Sequence, residues 1–536
     1  MRFTTMRWAR CAWAVLGVSF LVLATAATAE LESVAVGGEI RIRGNYWLNS
    51  FNSGSAPGLV ANRVRWGAAP VTGRPMGDLF GDGRVRSHFD WSDDGNDYAV
   101  VEQRVRLCLR AEFTEDVAAL IELDAFDMWG EDFRSNYVTG VDVAARSDDD
   151  IEVFQAYVDM CDVFGVPLRL RLGRQEIEWG DGWLLGANAD FPEATGLSFD
   201  AIRATYSGDA FEMDAFLGKL AERSPLEQDG DTDLYGLRGM WHATDALDVD
   251  LFWLWLRDAS SVADTDGPLV VEWMEDLVGV DDYECTNLHT IGLRLSGMAG
   301  AFDYDAKAAY QFGDAAHVGA LFAPYTYGDD DAEYDAWAAD LEAGYTFDAA
   351  WRPRWALGAA YVDGEDRRDL SFAEWANPFA PLLPGRASVS FNRLFTSVSY
   401  SPIIDEMGEL SNFWSVRTGV RVTPTEKVEA GLDVAYFGVL EAFDSPISLR
   451  VGPVRVVTRT LVFWTQESGS DIGWQTHLWA KYRWTDDLVI SAGWARLFTG
   501  DALEDGAFVD LNGLMYNGGT DDCDADYVYV QSTIRF

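Results

Sequence analysis

A chain of 536 residues with 87 acidic and 41 basic side chains carries a formal charge of −46 at pH 7. That excess excludes nucleic acid as a partner and excludes a basic patch for anionic lipid head groups. Beyond the N-terminus no run of about 20 apolar residues occurs, which excludes membrane-spanning helices. Yet aromatic residues make up 13% of the chain, with 22 Trp, and 50 residues are Gly. That load suits the aromatic girdles of a membrane β-barrel, in which only alternate strand residues face lipid and mean hydropathy stays low.

The N-terminus, MRFTTMRWARCAWAVLGVSFLVLATAATAE, puts Arg2, Arg7 and Arg10 before an apolar run from Cys11 to Leu23 and ends on Ala27-Thr28-Ala29. This is the layout of a secretory signal peptide. Residues 1–29 are therefore set aside, and residues 30–536 are expected to form a single outer-membrane β-barrel domain, because no Pro-rich or low-complexity linker divides them. Export permits disulfides. Cys285 and Cys523 fall in expected external loops and are the pair to test first, whereas Cys108 and Cys161 read as free small hydrophobes.

In chain order the mature sequence reads as alternating strands of about ten residues. They are expected at Glu39–Leu48, Tyr98–Phe113, Val117–Met128, Ile151–Met160, Pro167–Arg174 and Phe199–Tyr206. The next six are Phe211–Leu220, Leu234–Trp241, Val249–Leu256, Leu288–Ser296, Phe302–Phe312 and Tyr334–Phe347. The last six are Arg354–Val362, Phe413–Thr423, Val428–Gly438, Gly473–Trp484, Leu488–Phe498 and Asp526–Phe536. Short turns such as 115–116, 207–210, 424–427 and 485–487 alternate with long loops, the longest over about 363–411. The fold class is thus all-β: a transmembrane antiparallel β-barrel of about 18 strands, with short periplasmic turns and long extracellular loops. An even count keeps both termini on the short-turn side. The phase is ambiguous in the fourth, seventh and twelfth strands, which leaves sixteen as the alternative, and residues 387–400 could add a hairpin arm.

The final strand sets Val528, Val530, Ile534 and Phe536 against Tyr529, Gln531, Thr533 and Arg535. A terminal amphipathic strand ending in Phe resembles the assembly signal of Gram-negative outer-membrane proteins, so the barrel-assembly machinery and outer-membrane lipid are expected partners.

In the same strands one face is cationic. Arg41, Arg43, Arg104, Arg106, Arg110, Arg169, Arg171, Arg417, Arg421, Lys481, Arg483 and Arg535 fall on faces opposite the apolar one. A sandwich core would bury such charges at high cost, and a wet lumen removes that cost. Guanidinium stays charged and pairs with carboxylates through two parallel hydrogen bonds, so a ring of arginines in a narrow pore selects anions. Glu102, Glu112, Glu122 and Asp124 share the wall, so the same arginines can instead brace it in Arg/Glu ladders.

The stretch Leu170-Arg171-Leu172-Gly173-Arg174-Gln175-Glu176-Ile177-Glu178-Trp179-Gly180-Asp181, followed by Ser198-Phe199-Asp200-Ala201-Ile202-Arg203, resembles the motif of the alginate export porin family. The match is sharp over roughly residues 167–260 and architectural elsewhere. The resemblance implies an eighteen-stranded outer-membrane barrel whose arginine-lined pore passes an anionic uronate polymer. It adds Arg174 and Arg203 to the pore-lining candidates and places Gln175 and Asp181 near the constriction. Arg174 is out of phase with Arg169 and Arg171, so a bulge is expected near Gly173. This sequence departs from the family in having Ala201 where Gly is usual, and in its acidity; the resemblance carries the fold and not the permeant.

No HExxH, CxxC or Ser/His/Asp arrangement is legible, so no enzyme and no cofactor is expected. Asp229-Gly230-Asp231-Thr232-Asp233 is similar to the start of a calcium loop, although Met240 stands where the bidentate Glu belongs, so loop-bound calcium is a weaker expectation. The reading is a passive, porin-like, anion-selective channel in the outer membrane of a Gram-negative-type bacterium. Its expected permeant is an anionic polysaccharide or a small polar, saccharide-like solute, with gating by the loop 363–411. The alternatives are a structural barrel, or a surface receptor or adhesin with an occluded pore.

Overall fold

The computed structural model describes residues 30–49, 97–113, 116–129, 151–187, 196–222, 231–259, 286–314, 333–364, 388–404, 411–442, 445–446, 448–451, 454–457, 465–466, 469–504, 508–511, 514–516 and 524–536. Residues 1–29, expected to be a leader, Cys285, Cys523 and the acidic runs at 93–94, 148–150, 329–331 and 521–522 lie outside them.

Eighteen long strands form one closed antiparallel barrel. The first six are β1 Leu31–Leu48, β2 Tyr98–Phe113, β3 Val117–Met128, β4 Glu152–Met160, β5 Leu168–Gln175 and β6 Phe199–Ser207. The next six are β7 Phe211–Ala221, β8 Thr232–Thr244, β9 Leu247–Asp258, β10 Thr286–Ala299, β11 Phe302–Asp314 and β12 Glu333–Thr346. The last six are β13 Arg354–Val362, β14 Phe413–Thr425, β15 Val428–Val439, β16 Asp471–Arg483, β17 Leu488–Thr499 and β18 Ala525–Arg535. Each strand pairs with its chain neighbours, and β1 closes on β18 in a register running from Glu39 opposite Arg535 to Leu48 opposite Asp526. The closed barrel leaves no open edge among its eighteen strands. Phe536 extends the seam through backbone hydrogen bonds to Gly38 in both directions, at 3.0 and 3.1 Å.

The alternation explains the wall. Along β2 the outward residues are Leu107 and Leu109, and along β9 and β18 they are Leu251 and Val530, all exposed on the outer surface. In a bilayer that surface meets hydrocarbon, so exposure there carries no cost in water. Outward aromatics gather at the two ends. Trp241, Trp351, Trp355 and Trp484 lie toward the short-turn end, and Trp337, Trp414 and Trp474 toward the other. Two girdles of amphipathic rings match the two head-group levels of a membrane.

Differences from the expected strands have local causes. β1 begins at Leu31 rather than Glu39, because it stays paired with β2 as far as Phe113. The ambiguous phase of the fourth and seventh strands coincides with register shifts, between Glu122 and Leu123 in the β3–β4 pairing and between Lys219 and Ala221 in the β7–β8 pairing. Residues 388–389 pair briefly with the start of β12, in parallel, and no hairpin arm follows. Instead the chain from 390 to 404 runs inside the barrel, where Phe391, Leu394, Ile403 and Ile404 are buried.

Candidate pore constriction

The wall gives way at one place. β5 keeps its alternation up to Gln175 and then leaves the sheet. Gly173 turns the strand with φ +126°, a conformation open to glycine, and a Cβ there would sit 2.2 Å from the Ala156 carbonyl oxygen. The pairing nevertheless passes through Gly173 without a register shift on either side, so the expected bulge is absent. Arg174 therefore remains on the outer face. Its guanidinium pairs with Asp200 at 3.1 Å and donates to the Val153 carbonyl, with its side chain 44% exposed. Its assignment to the pore lining is corrected: two-residue periodicity, unbroken by a bulge, puts it opposite Gly173 and Gln175.

Gln175 faces inward and is fully buried. Its amide donates to the carbonyls of Gly173 and Ala201 at 3.1 and 3.0 Å, which ties the end of β5 to β6. From there residues 176–187 enter the lumen as a tight loop, closed by Trp179 N–H to the Leu185 carbonyl at 2.9 Å and Gly182 N–H to the Trp179 carbonyl at 3.0 Å. The Trp179 indole donates to Asp214 at 2.7 Å. Asp181 reaches the wall and pairs with Lys307 of β11. Burial raises the carboxyl of Glu176, beside Arg106, above its ordinary value.

A second inward segment, residues 390–404, meets the first. Gly186 N–H donates to the Phe395 carbonyl at 2.8 Å, Phe395 N–H to the Leu184 carbonyl at 3.1 Å, and Ser397 N–H to the Gly182 carbonyl at 2.8 Å. The Trp183 indole donates to the Tyr400 hydroxyl at 3.0 Å. Burial raises the Tyr400 phenol above its ordinary value. Around these bonds Ile177, Trp183, Leu184, Leu185, Phe391 and Leu394 pack into an apolar mass joined to the inner wall at Phe199, Phe413 and Phe437. The sequence reading assigned gating to the long loop as a whole. The described part of that loop forms a constriction together with the segment after β5.

Most cationic candidates line the lumen in pairs. Arg43 meets Glu102 at 2.8 Å, and Arg104 meets Asp124 at 2.7 Å with both side chains buried. Arg106 contacts Asp124, Glu122 and Glu176 at 3.0, 3.3 and 3.2 Å and stands 3.9 Å from the centroid of the Phe154 ring. Arg169 and Arg171 share Asp159, and Arg171 lies 3.9 Å from the Tyr157 ring centroid. Arg203 clasps Asp214 at 2.7 Å. Arg417 bonds Asp340, and Tyr400 lies 5.0 Å from its guanidinium. Arg41 is buried inside the wall, while Arg110 and Arg421, nearer the short-turn end, pair with Glu112 and Glu429 at 3.2 Å each. Cation–π contacts and carboxylate pairs together hold these guanidinium planes in fixed orientations.

Sequence reasoning missed Lys307, Arg238, Arg294 and Arg354. Lys307 pairs with Asp181, with Asp340 at 3.3 Å and with Asp305 at 3.6 Å. Arg238 meets Asp250 at 2.8 Å, Arg294 meets Asp305 at 2.8 Å, and Arg354 is held by Asp303 and Glu342. The signal was present: Asp303, Asp305, Lys307 and Gln311 alternate with Tyr304, Ala306, Ala308 and Tyr310. In the suspected calcium loop, Asp231 and Asp233 both pair with Lys219. Cys108 and Cys161 are free thiols, and Cys161 is exposed in a short turn rather than packed.

Below the two inward segments, toward the short turns, lies a polar cavity of about 660 Å³ lined by Arg41, Arg354, Arg417, Arg421, Lys481 and Arg535 among others. The sequence matches the family described as alginate export over residues 84–517.

The chain belongs to the alginate export family. With its closed eighteen-stranded barrel it is an outer-membrane channel of the porin type, for passive passage of solutes. The family match reaches well beyond the stretch 167–260 that carried the motif. Solved structures similar to this member of the alginate export family include OccK8 (OprE) of Pseudomonas aeruginosa, at 10% identity and a TM-score of 0.48, covering 94% of this chain and 98% of the other. OccAB1 of Acinetobacter baumannii is similar at 9% identity and a TM-score of 0.48, covering 94% and 97%. OprD of Pseudomonas aeruginosa is similar at 11% identity and a TM-score of 0.45, covering 95% and 96%. No curated protein matches the sequence.

Proposed function

We propose that the channel passes anionic, saccharide-like solutes, selected by the cationic lumen and gated where residues 176–187 meet residues 390–404. The observation that carries this reading is the large cavity on the short-turn side. Its wall bears Arg354, Arg417, Arg421 and Lys481, and its roof is the Tyr400 segment. Carboxylates such as Glu342 and Asp433 share that wall, so the field is mixed rather than uniformly positive. A mixed wall suits a polar chain that must bind briefly and move on.

The apolar mass between the two inward segments favours a second reading, a channel that rests closed at this level. Reversal potentials of the purified barrel in a planar bilayer, under a potassium chloride gradient, separate the two. The conduit predicts measurable conductance with chloride preferred over potassium, and a shift toward potassium in Arg417→Glu. A silent barrel supports the closed alternative, and a cation-selective one sinks the anion conduit.

A further inference from the structure

One patch of the short-turn cavity is built as a flat surface between two cations. Trp479 of β16 stands opposite Gly431 of β15, which in turn stands opposite Arg421 of β14. A Cβ on Gly431 would lie 2.6 Å from the Trp479 ring. The indole therefore rests across bare glycine backbone, with one face on the wall and the other turned to the cavity that Trp479 lines. Its Nε1 donates to Asp433 Oδ2 at 2.8 Å, which pins one edge of the ring. The Arg421 guanidinium and the Lys481 ammonium flank it, at 5.5 and 5.6 Å from the ring centroid.

The two cations differ from those of the braced wall. Arg421 meets Glu429 at 3.2 Å, but its side chain is 54% exposed. Lys481 has no carboxylate within ion-pairing distance among the described residues, and its contact is with the Trp479 ring. The lumen thus offers an apolar face with positive charge at its margin, where Arg104 or Arg203 offers a charge already neutralised.

We propose that Trp479, Arg421 and Lys481 form a binding station for a ring that has an apolar face and carries a carboxylate. The ring's apolar face would stack on the indole, and the carboxylate would take the two cations. Hexuronates and aromatic acids both have this chemistry. The inference rests on reading the lumen as a path for anionic solutes and adds to it a defined stopping place.

The test is isothermal titration of the full-length barrel in detergent with tri-galacturonate, with benzoate as a second arm and maltotriose as the neutral control. Binding of either acid, in excess of maltotriose, is expected. It should weaken about tenfold in both Trp479→Ala and Lys481→Gln, the size of one lost charge-assisted contact. Gly431→Leu, which pushes the indole off the wall and leaves both charges in place, should weaken it comparably. Heat-dependent gel migration of each variant establishes that the barrel is closed. Binding of tri-galacturonate alone assigns the station to uronates, and binding of benzoate alone assigns it to aromatic acids. Binding of neither acid by the wild type, equal binding of maltotriose, or unchanged binding in both Trp479→Ala and Lys481→Gln overturns the proposal. A barrel that binds but is silent in the bilayer overturns conduction and supports the station.

Discussion

Asp124 holds Arg104 and Arg106 together, and both it and Arg104 are buried. Removing one member of a buried ion pair leaves an uncompensated charge, which costs about 3–5 kcal/mol, whereas an exposed pair contributes about 0–1 kcal/mol. Asp124→Asn is therefore expected to destabilise the barrel by about 3 kcal/mol, read as a lower temperature for the heat-induced gel shift. Glu429→Gln, which frees the half-exposed Arg421, should leave that temperature nearly unchanged. Equal shifts in the two variants would count against the graded burial of the lumen wall. At this scale the sequence was partly legible. Alternation assigned Arg41, Arg43, Arg104, Arg106, Arg169 and Arg171 to the inner face, because side chains on a strand repeat every second residue. Alternation also put Arg174 on the outer face, where it is found; the family resemblance, which drew it into the pore through a bulge at Gly173, did not hold, because the glycine bends the strand without shifting its register. Glu102, Glu112, Glu122 and Asp124 were legible as bracing partners, whereas Asp159 and Asp214 were not, since they lie on neighbouring strands whose register the sequence does not print.

The two inward segments are the element on which conduction turns. They are joined by backbone hydrogen bonds and by the Trp183–Tyr400 bond, and Tyr400 in turn contacts Arg417. Tyr400→Phe would leave the buried Trp183 N–H without an acceptor, a loss of about 1 kcal/mol. If the contact between segments sets closure, single-channel recordings should show the open-to-closed ratio rising about fivefold. Replacing residues 391–397 with a Gly/Ser stretch should give larger conductance steps while the eighteen wall strands persist in circular dichroism. Unchanged steps would mean that the constriction lies elsewhere. The sequence hid this element for a physical reason. Ile177, Trp183, Leu184 and Leu185 are apolar without a two-residue period, and a loop that packs on another loop has no periodic signature. Only the break after Gln175 marked the first segment; the partner segment, 215 residues farther along at Ser390, lay within the long loop expected to gate, but nothing in its sequence showed that it would pack on residues 176–187.

Across the whole molecule acidic and basic residues are unevenly distributed along the sequence. The chain carries a net −46, its described arginines line the wall in the company of carboxylates, and runs such as Asp148-Asp149-Asp150 and Asp329-Asp330-Asp331 occur in the sequence between strands, outside the described residues. If the net acidic charge acts at a distance, it and the under-neutralised lumen cations oppose each other on a passing anion. They differ in reach. The acidic field acts through solvent, where the screening length falls from about 10 Å at 0.1 M salt to about 3 Å at 1 M. The lumen cations act at contact distance on whatever passes Arg417 or Lys481, so salt weakens them less. Chloride preference should accordingly rise between 0.1 M and 1 M potassium chloride, as the long-range acidic field is screened first. In most simple anion channels, where one fixed field governs selectivity, preference falls with salt instead. Reversal potentials taken at a constant tenfold gradient over that range decide the matter. A preference that declines steadily toward unity would show that the acidic field contributes no barrier and that the lumen field alone sets the selectivity.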